Sequence, residues 1–280
     1  MSQIELSCGT MDYTDTGGAG AVLVFLHGLL MDASLWDAVI ADLSADHRCV
    51  APTLPLGAHR HPMQPDTDLS LPGIARLVAE FCDRLGLDGV TVVGNDTGGA
   101  LCQLVATHHP ERLGRLVLTP CDAYENFLPP AFRPLQMLAH VPGAVYLIAQ
   151  SLRAPAARRL PLAYGWVTKR GDDALTRSWI APALGSGAIR HEVASVLKGI
   201  SNHYTLAAAE RFGEFTKPVL IAWAPEDRFF KLRYGERLAN AFPNARLELI
   251  EDSYTFVPVD QPERTATLIA AFARQPAGAR

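Results

Sequence analysis

The sequence has few cysteines and no pattern that would pair them. Its 280 residues include five cysteines, an odd number, and no two of them stand in a Cys-x-x-Cys arrangement. A count of this kind indicates neither a disulfide framework nor a zinc site, so we predict no metal and no other cofactor. Most of these thiols are expected to be small apolar core residues. They are Cys8, Cys49, Cys82, Cys102 and Cys121.

Long apolar runs and clusters of basic residues are also missing. The longest apolar stretches, such as 141–152, are too short and too interrupted to span a bilayer, and residues 1–6 lack the features of a signal peptide. With 25 Lys and Arg against 29 Asp and Glu, the formal net charge of -4 offers no footprint for nucleic acid or an anionic membrane. We therefore expect a cytoplasmic protein that binds neither, with a homodimer left open.

The sequence does contain enough apolar residues for a core, and a regular alternation of strand and helix patterns. Hydrophobic residues make up 49% of the chain. Short apolar runs alternate with segments of helical period, which predicts an α/β fold with a mostly parallel, eight-stranded sheet covered by helices on both faces. The predicted strands are 3–8, 10–15, 21–26, 48–52, 89–93, 115–119, 218–223 and 246–250.

One long segment interrupts this alternation. Residues 121–211 contain short helix-like stretches separated by prolines. We interpret this segment as a helical cap inserted into an α/β core that comprises residues 1–120 and 212–280. Aromatic side chains in the cap indicate a small hydrophobic substrate as the binding partner.

The most informative motif is residues 90–99, Val-Thr-Val-Val-Gly-Asn-Asp-Thr-Gly-Gly. An apolar strand breaks into a Gly-x-Asp-x-Gly-Gly turn, which places Asp96 where a nucleophile would stand in a strand-turn-helix elbow. Gly94 and Gly98 suit this turn because strand and helix approach too closely there for side chains. The alternative interpretation is an ordinary strand-to-helix turn in which Asp96 only caps the helix.

The aspartate elbow, the upstream His27-Gly28 turn and the cap after the sixth strand resemble the α/β-hydrolase superfamily, and within it the haloalkane dehalogenase and epoxide hydrolase branch. The resemblance covers nearly the whole chain. It implies a nucleophile at Asp96 and an oxyanion hole formed by the backbone N–H groups of Leu29 and Thr97. His27 is more typically structural in this motif, and we count it among the residues near the substrate.

The resemblance also implies a second carboxylate. Asp227 follows the predicted strand 218–223 and matches the superfamily's triad acid. The branch has an alternative acid position just after the sixth strand, where Asp122 stands. Asp122 could equally cap a helix at the entrance to the cap segment, so both interpretations stay open.

The third triad position departs from the family pattern. Counting back from Gln261, the usual catalytic histidine is replaced by Thr255, and residues 204–280 contain no histidine. A threonine hydroxyl cannot be the base that activates water in the second step of the family's mechanism. His203 is the best-placed histidine to substitute for it.

Two further departures concern the substrate. Dehalogenases of the branch carry a tryptophan directly after the nucleophile to hold the leaving halide, whereas this chain has Thr97, so dehalogenation is not favoured. Epoxide hydrolases of the branch use cap tyrosines to protonate the oxygen of the opening ring. Because the cap of this chain contains tyrosines, an epoxide stays a candidate substrate. The remaining candidates for binding substrate are Tyr124, Phe127, Tyr146, Trp179 and Tyr254.

These residues leave three functions open. The first is epoxide hydrolase-like hydrolysis of a small hydrophobic electrophile with Asp96 as nucleophile. The second is a non-hydrolytic acid/base enzyme, a lyase, isomerase or cyclase, because carboxylates clustered in an apolar site retain a proton near neutral pH. The third is a catalytically decayed ligand-binding protein. Thr255 is the feature that favours the second function.

Overall fold

Eight strands form a single sheet in the computed structural model, which describes residues 1–274; residues 275–280 of the predicted core lie outside that range. The strands are β1 Ser2–Leu6, β2 Gly9–Asp15, β3 Val22–Leu26, β4 Arg48–Pro52, β5 Val90–Asp96, β6 Leu113–Cys121, β7 Val219–Trp223 and β8 Ala245–Leu249. Their order is β1-β2-β4-β3-β5-β6-β7-β8. β1 pairs with β2 and β2 with β4 in antiparallel fashion, and the other neighbours run parallel. The predicted α/β fold is confirmed.

Helices cover both faces of the sheet. One group includes α1 and α12, which pack against each other, and another includes α2 and α3. No helix in the described range is long and apolar enough to cross a membrane. The helices are α1 Asp37–Leu43, α2 Leu71–Arg84, α3 Thr97–His108, α4 Arg133–Leu138, α5 Ala144–Ser151, α6 Pro155–Arg158, α7 Asp173–Gly185, α8 Gly187–Gly199, α9 Asn202–Glu210, α10 Leu232–Ala241, α11 Val257–Asp260 and α12 Pro262–Ala273.

The central strands explain where the site lies. β5 runs between β3 and β6, and its residues 90–95 are all buried because helices cover both sides of the sheet at this point. In open parallel sheets, ligands bind beyond the carboxyl ends of the strands. Asp96 is the last residue of β5, so the fold places it at that edge.

Helices α4–α9 all lie in one insertion between β6 and β7. A buried pair ties this insertion to the core: His59, in the loop after β4, lies 2.5 Å from a carboxylate oxygen of Glu192 in α8. The other Glu192 oxygen accepts the backbone N–H of Met63 at 2.8 Å. Both carboxylate oxygens therefore hold the loop after β4 against α8.

Asp260 makes the second tie. Its buried carboxylate accepts the Thr168 hydroxyl at 2.6 Å and the backbone N–H groups of Lys169 and Arg170 at 2.8 and 2.9 Å. It also accepts the backbone N–H of Tyr254 at 2.9 Å. One carboxylate thus joins the insertion to the loop that precedes α11.

Candidate active site

The elbow after β5 has the strained backbone that its sequence predicts. Asp96 adopts φ 54° and ψ -130°, and α3 begins at the next residue. A side chain at position 98 would place its Cβ 2.3 Å from the carbonyl oxygen of Leu26, and one at position 94 would place it 2.5 Å from that of Gly98. Glycine is required at both positions because β3, β5 and α3 meet at backbone distance.

The Asp96 carboxylate occupies the predicted oxyanion hole itself. Its Oδ1 accepts the backbone N–H of Thr97 at 2.7 Å and that of Leu29 at 3.1 Å. A Cβ at position 28 would lie 2.2 Å from this oxygen, so Gly28 leaves the room that the carboxylate fills. Both backbone bonds go to one oxygen, and the second oxygen is not held by the backbone.

Asp122 lies beside Asp96 at the same end of the sheet. It is buried, and its Oδ2 accepts the Thr97 hydroxyl at 3.1 Å. Burial raises the pKa of Asp122 well above its usual value, and the Asp96 charge raises it further. Burial also raises the pKa of Asp96, whereas its two backbone hydrogen bonds lower it. The two backbone hydrogen bonds thus favour ionisation at Asp96, whereas burial and the Asp96 charge favour the protonated form at Asp122.

Asp227 lies on the other side of β6, after β7. Its Oδ1 accepts the backbone N–H groups of Phe229 and Phe230, each at 2.7 Å. Burial raises the pKa of Asp227 to about 7. The Thr255 hydroxyl favours the ionised form, so Thr255 lies beside this acid.

Asn95 connects these parts, and the sequence analysis did not single it out. Its buried side-chain amide donates to the Thr119 hydroxyl at 2.8 Å and to the carbonyl oxygens of Pro120 and Thr255 at 3.1 and 2.7 Å. The amide thus fixes the elbow relative to the end of β6 and the Thr255 loop. Its place directly before the nucleophile position was the only sequence signal for this role.

An apolar cavity of about 180 Å³ lies above Asp96 and Asp122. Most of its wall comes from the insertion, whose contacts with the core are not visible in the sequence. Tyr164 is part of this wall, and its hydroxyl donates to the carbonyl oxygen of Leu30 at 2.9 Å. Other apolar lining residues include Leu128, Phe132, Leu135, Ile148, Phe229 and Phe256.

His27 does not line this cavity. Its ring is fully buried, with Nδ1 2.9 Å from the carbonyl oxygen of Gly28 and Nε2 accepting the backbone N–H of Leu54 at 2.8 Å. Burial lowers the pKa of His27 to about 4, which keeps the ring neutral. The residue shapes the turn before Leu29 and is misplaced among the residues that contact substrate.

The other predicted substrate-binding side chains also lie outside the cavity wall. Trp179 is buried and donates its indole N–H to the Ser34 hydroxyl at 2.9 Å, and Tyr124 packs edge-on against Phe212. Phe127 is buried next to the lining residue Leu128. The sequence could not separate these packing aromatics from lining ones, because both types share the same composition.

The last three predicted contacts lie at or near the surface. Tyr146 is 43% exposed beneath the Arg190 guanidinium, and Tyr254 accepts a hydrogen bond from Arg228 at 2.7 Å. His203 is exposed on α9 and is not among the residues that line the cavity. No imidazole lines the cavity in the range 1–274. The same range holds no cluster of three side chains suited to a metal ion.

The comparisons with known proteins agree with this architecture. A family model of the alpha/beta hydrolase fold matches residues 21–262. This match covers most of the chain, which belongs to that family.

Named relatives of the chain are hydrolases. It is 26% identical over 281 residues to haloalkane dehalogenase 2 of Mycobacterium tuberculosis, a match that covers 95% of this chain and 92% of the relative. It is 27% identical over 261 residues to a poly(3-hydroxyalkanoate) depolymerase of Ectopseudomonas oleovorans, covering 90% and 84%. Among solved structures, a thermophilic esterase from Thermogutta terrifontis superposes with a TM-score of 0.77 at 20% identity, covering 98% of both chains. That last likeness shows the shared fold alone.

Proposed function

We propose that this protein opens a polarised carbon–oxygen bond in a small apolar electrophile, such as an epoxide, by nucleophilic attack of Asp96. The observation that carries the proposal is the anchoring of one Asp96 oxygen by the N–H groups of Leu29 and Thr97. An anchored carboxylate presents its other oxygen in a fixed direction. After attack, the anchored oxygen becomes the ester carbonyl oxygen, already placed in the oxyanion hole for the next step.

Asp122 is the proton donor in this proposal. The second Asp96 oxygen forms a bond to an epoxide carbon, the carbon–oxygen bond of the ring breaks, and the Asp122 proton moves to the released oxygen. The products are a hydroxyalkyl ester on Asp96 and an ionised Asp122. The raised pKa of Asp122 supports this role, because it favours the protonated form that a proton donor needs.

Asp122 also acts as the base, a role that the Thr255 hydroxyl cannot fill. Once ionised, Asp122 accepts a proton from water as the water oxygen attacks the ester carbonyl carbon. Collapse of the tetrahedral intermediate releases the diol, which takes up the remaining proton, and restores the Asp96 carboxylate and protonated Asp122. One group acts as acid and then as base, as in retaining glycosidases.

A carbon–halogen substrate has weaker support, although a relative is named as a haloalkane dehalogenase. A leaving halide needs N–H donors, and among the described residues no tryptophan lines the cavity. Thr97 follows the nucleophile and uses its hydroxyl to bind Asp122. An epoxide suits the site better because its leaving oxygen takes the Asp122 proton.

A non-hydrolytic acid/base reaction is the second candidate. It is favoured by one observation: no imidazole lines the described part of the cavity wall. In that reaction, the ionised Asp96 and protonated Asp122 would transfer protons on a bound substrate without forming an ester.

Single-turnover reactions in ¹⁸O-labelled water distinguish these functions. The enzyme is used in excess over each of a panel of small apolar epoxides. If Asp96 attacks, the peptide that contains Asp96 should gain the mass of one ¹⁸O exchange, and the diol should stay unlabelled. Label in the product instead would contradict attack by Asp96. Conversion with label in neither would favour the non-hydrolytic reaction.

Two isosteric variants test the roles of Asp96 and Asp122 separately. Asp96→Asn should reduce turnover about a thousandfold or more and abolish labelling of the peptide. Asp122→Asn should slow both ring opening and ester hydrolysis, because it removes the acid and the base together. An Asp96→Asn variant of unchanged activity would overturn the proposal.

A further inference from the structure

The outer surface of the insertion is unusually apolar. Eleven large apolar side chains are substantially exposed in the described range, and eight of them lie between residues 137 and 166. Among them, Met137 is 72% and Leu147 is 67% exposed. Single exposed apolar residues are normal in proteins, but a concentration of this kind in one segment marks a surface that binds something.

The same segment carries charge of one sign only. Residues 126–171, which we call the apolar cap segment, contain six Arg and Lys and neither Asp nor Glu, in a chain whose formal net charge is -4. Arg158, Lys169 and Arg170 pair with acids outside the segment. The exposed side chains of Arg133, Arg153 and Arg159 have no carboxylate partner within the described range.

The helices of this segment are apolar on two sides. In α5, Ile148 lines the cavity above Asp96, while the adjacent Tyr146 and Leu147 face outward. Leu162 is at once a lining residue and 55% exposed. A helix with apolar residues all around is expected inside a protein core or in contact with lipid, and these helices lie at the surface.

We propose that the apolar cap segment docks on an anionic lipid surface. The segment combines exposed Leu, Met and Trp side chains with exposed arginines that have no carboxylate partner. Proteins bind at the membrane interface with this combination, because apolar groups enter the headgroup region and cations meet anionic lipids. This docking would bring the cavity wall next to a phase in which apolar substrates accumulate. The net charge of the whole chain hides this surface, because the acidic residues outside the segment outweigh its cations. Docking of this kind does not depend on the reaction at Asp96.

The charge pattern argues against a second copy as the occupant. A two-fold interface brings the same patch of both subunits together, so the three unpaired arginines of each copy would face one another. Removing them from water without acids opposite is unfavourable. An anionic surface neutralises them instead.

Vesicle flotation tests the proposal with the full chain. We expect binding to vesicles of phosphatidylcholine with phosphatidylglycerol at low salt, little binding to phosphatidylcholine alone, and release at high salt. The triple change Arg133→Gln, Arg153→Gln and Arg159→Gln should weaken binding at least about tenfold, and so should the pair Leu147→Gln and Leu160→Gln.

Matched controls separate this surface from general charge and hydrophobicity. The triple change Arg84→Gln, Arg264→Gln and Arg274→Gln alters the net charge equally, and Leu206→Gln and Leu249→Gln remove exposed leucines elsewhere; both variants should bind like the parent. Absence of binding to anionic vesicles, or equal loss in the controls, would overturn the proposal. A dimer in sedimentation velocity that Leu147→Gln dissociates would instead identify a second copy as the occupant.

Discussion

Three aspartates follow three adjacent strands, and burial gives them different proton affinities. Asp96 ends β5 and is held by two backbone N–H groups, whereas Asp122, just after β6, has one neutral hydroxyl donor. Asp227, after β7, has two backbone donors and a pKa raised to about 7. Burial raises the pKa of all three carboxyls because it disfavours their charged forms, and the Lys231 ammonium opposes that effect at Asp227 alone.

The pH dependence of stability should reflect Asp227. The carboxyl ionises at its ordinary pKa of 3.8 in the unfolded chain and at about 7 in the folded chain. Between these values the folded state binds more protons, so this group makes stability fall as pH rises, and its contribution is constant above about 7. Asp227→Asn keeps the acceptor for Phe229 and Phe230. As the pH rises from about 5 to about 8, the unfolding free energy of this variant should fall by roughly 2–3 kcal/mol less than that of the parent.

Urea unfolding at both pH values measures this effect. The exposed Asp66→Asn is the control, and it should show the parent's pH dependence. If Asp227→Asn had the same pH dependence as the parent, Asp227 would not hold its proton in the folded state.

At the scale of elements, the site depends on how closely β3, β5 and α3 approach. The turn after β3 passes so near the elbow that Gly28 has no room for a side chain. That approach brings the Leu29 N–H within 3.1 Å of the Asp96 carboxylate. The two N–H groups that hold Asp96 therefore converge only because two loops are held together, and neither loop provides both.

Gly28→Ala should displace Asp96 from the hole, because the new Cβ would lie 2.2 Å from Oδ1. We expect ester formation on Asp96 to slow about a hundredfold or more, with the helical circular dichroism signal retained. The control is Gly213→Ala, since a Cβ there meets nothing within 4 Å. Equal rates for the two variants would show that the close approach does not position the nucleophile.

At the scale of the whole molecule, polar contacts join the insertion to the core at several points. The Asp260 carboxylate receives donors from both parts, and His59 meets Glu192 at a second point. These contacts set how the apolar cap segment closes over Asp96 and Asp122. The cavity exists only because the two parts are held in this arrangement.

Asp260→Ala should loosen the insertion and lower the unfolding free energy by at least about 3 kcal/mol, because several buried donors lose a charged acceptor. Hydrogen exchange should rise first in residues 165–172 and in the loop before α11. Asp42→Ala, at an exposed position on α1, should change stability by no more than about 0.5 kcal/mol. Unchanged exchange in residues 165–172 would contradict the role given to Asp260.

Most ends of the predicted strands lie within about two residues of the observed ends. The reason is that central strands buried on both faces have distinctive apolar runs. The elbow was equally readable, since its glycines are required by local geometry. The predicted substrate-binding side chains do not line the cavity above Asp96. Trp179 and Tyr124 pack within the protein, and Tyr146 lies at the surface, because composition does not tell which side of a short helix faces the core.

The sequence by itself determined the order of strands and helices and the position of Asp96 in its turn, because each depends on residues close together in the chain. Only the tertiary structure decided that Oδ1 of Asp96 accepts the N–H groups of Leu29 and Thr97, that Asp122 lies beside it and that Asn95 joins three segments. It also showed that Arg133, Arg153 and Arg159 of the apolar cap segment have no carboxylate partner among residues 1–274. Such facts depend on contacts between residues far apart in the chain, and burial at those contacts sets the proton affinities.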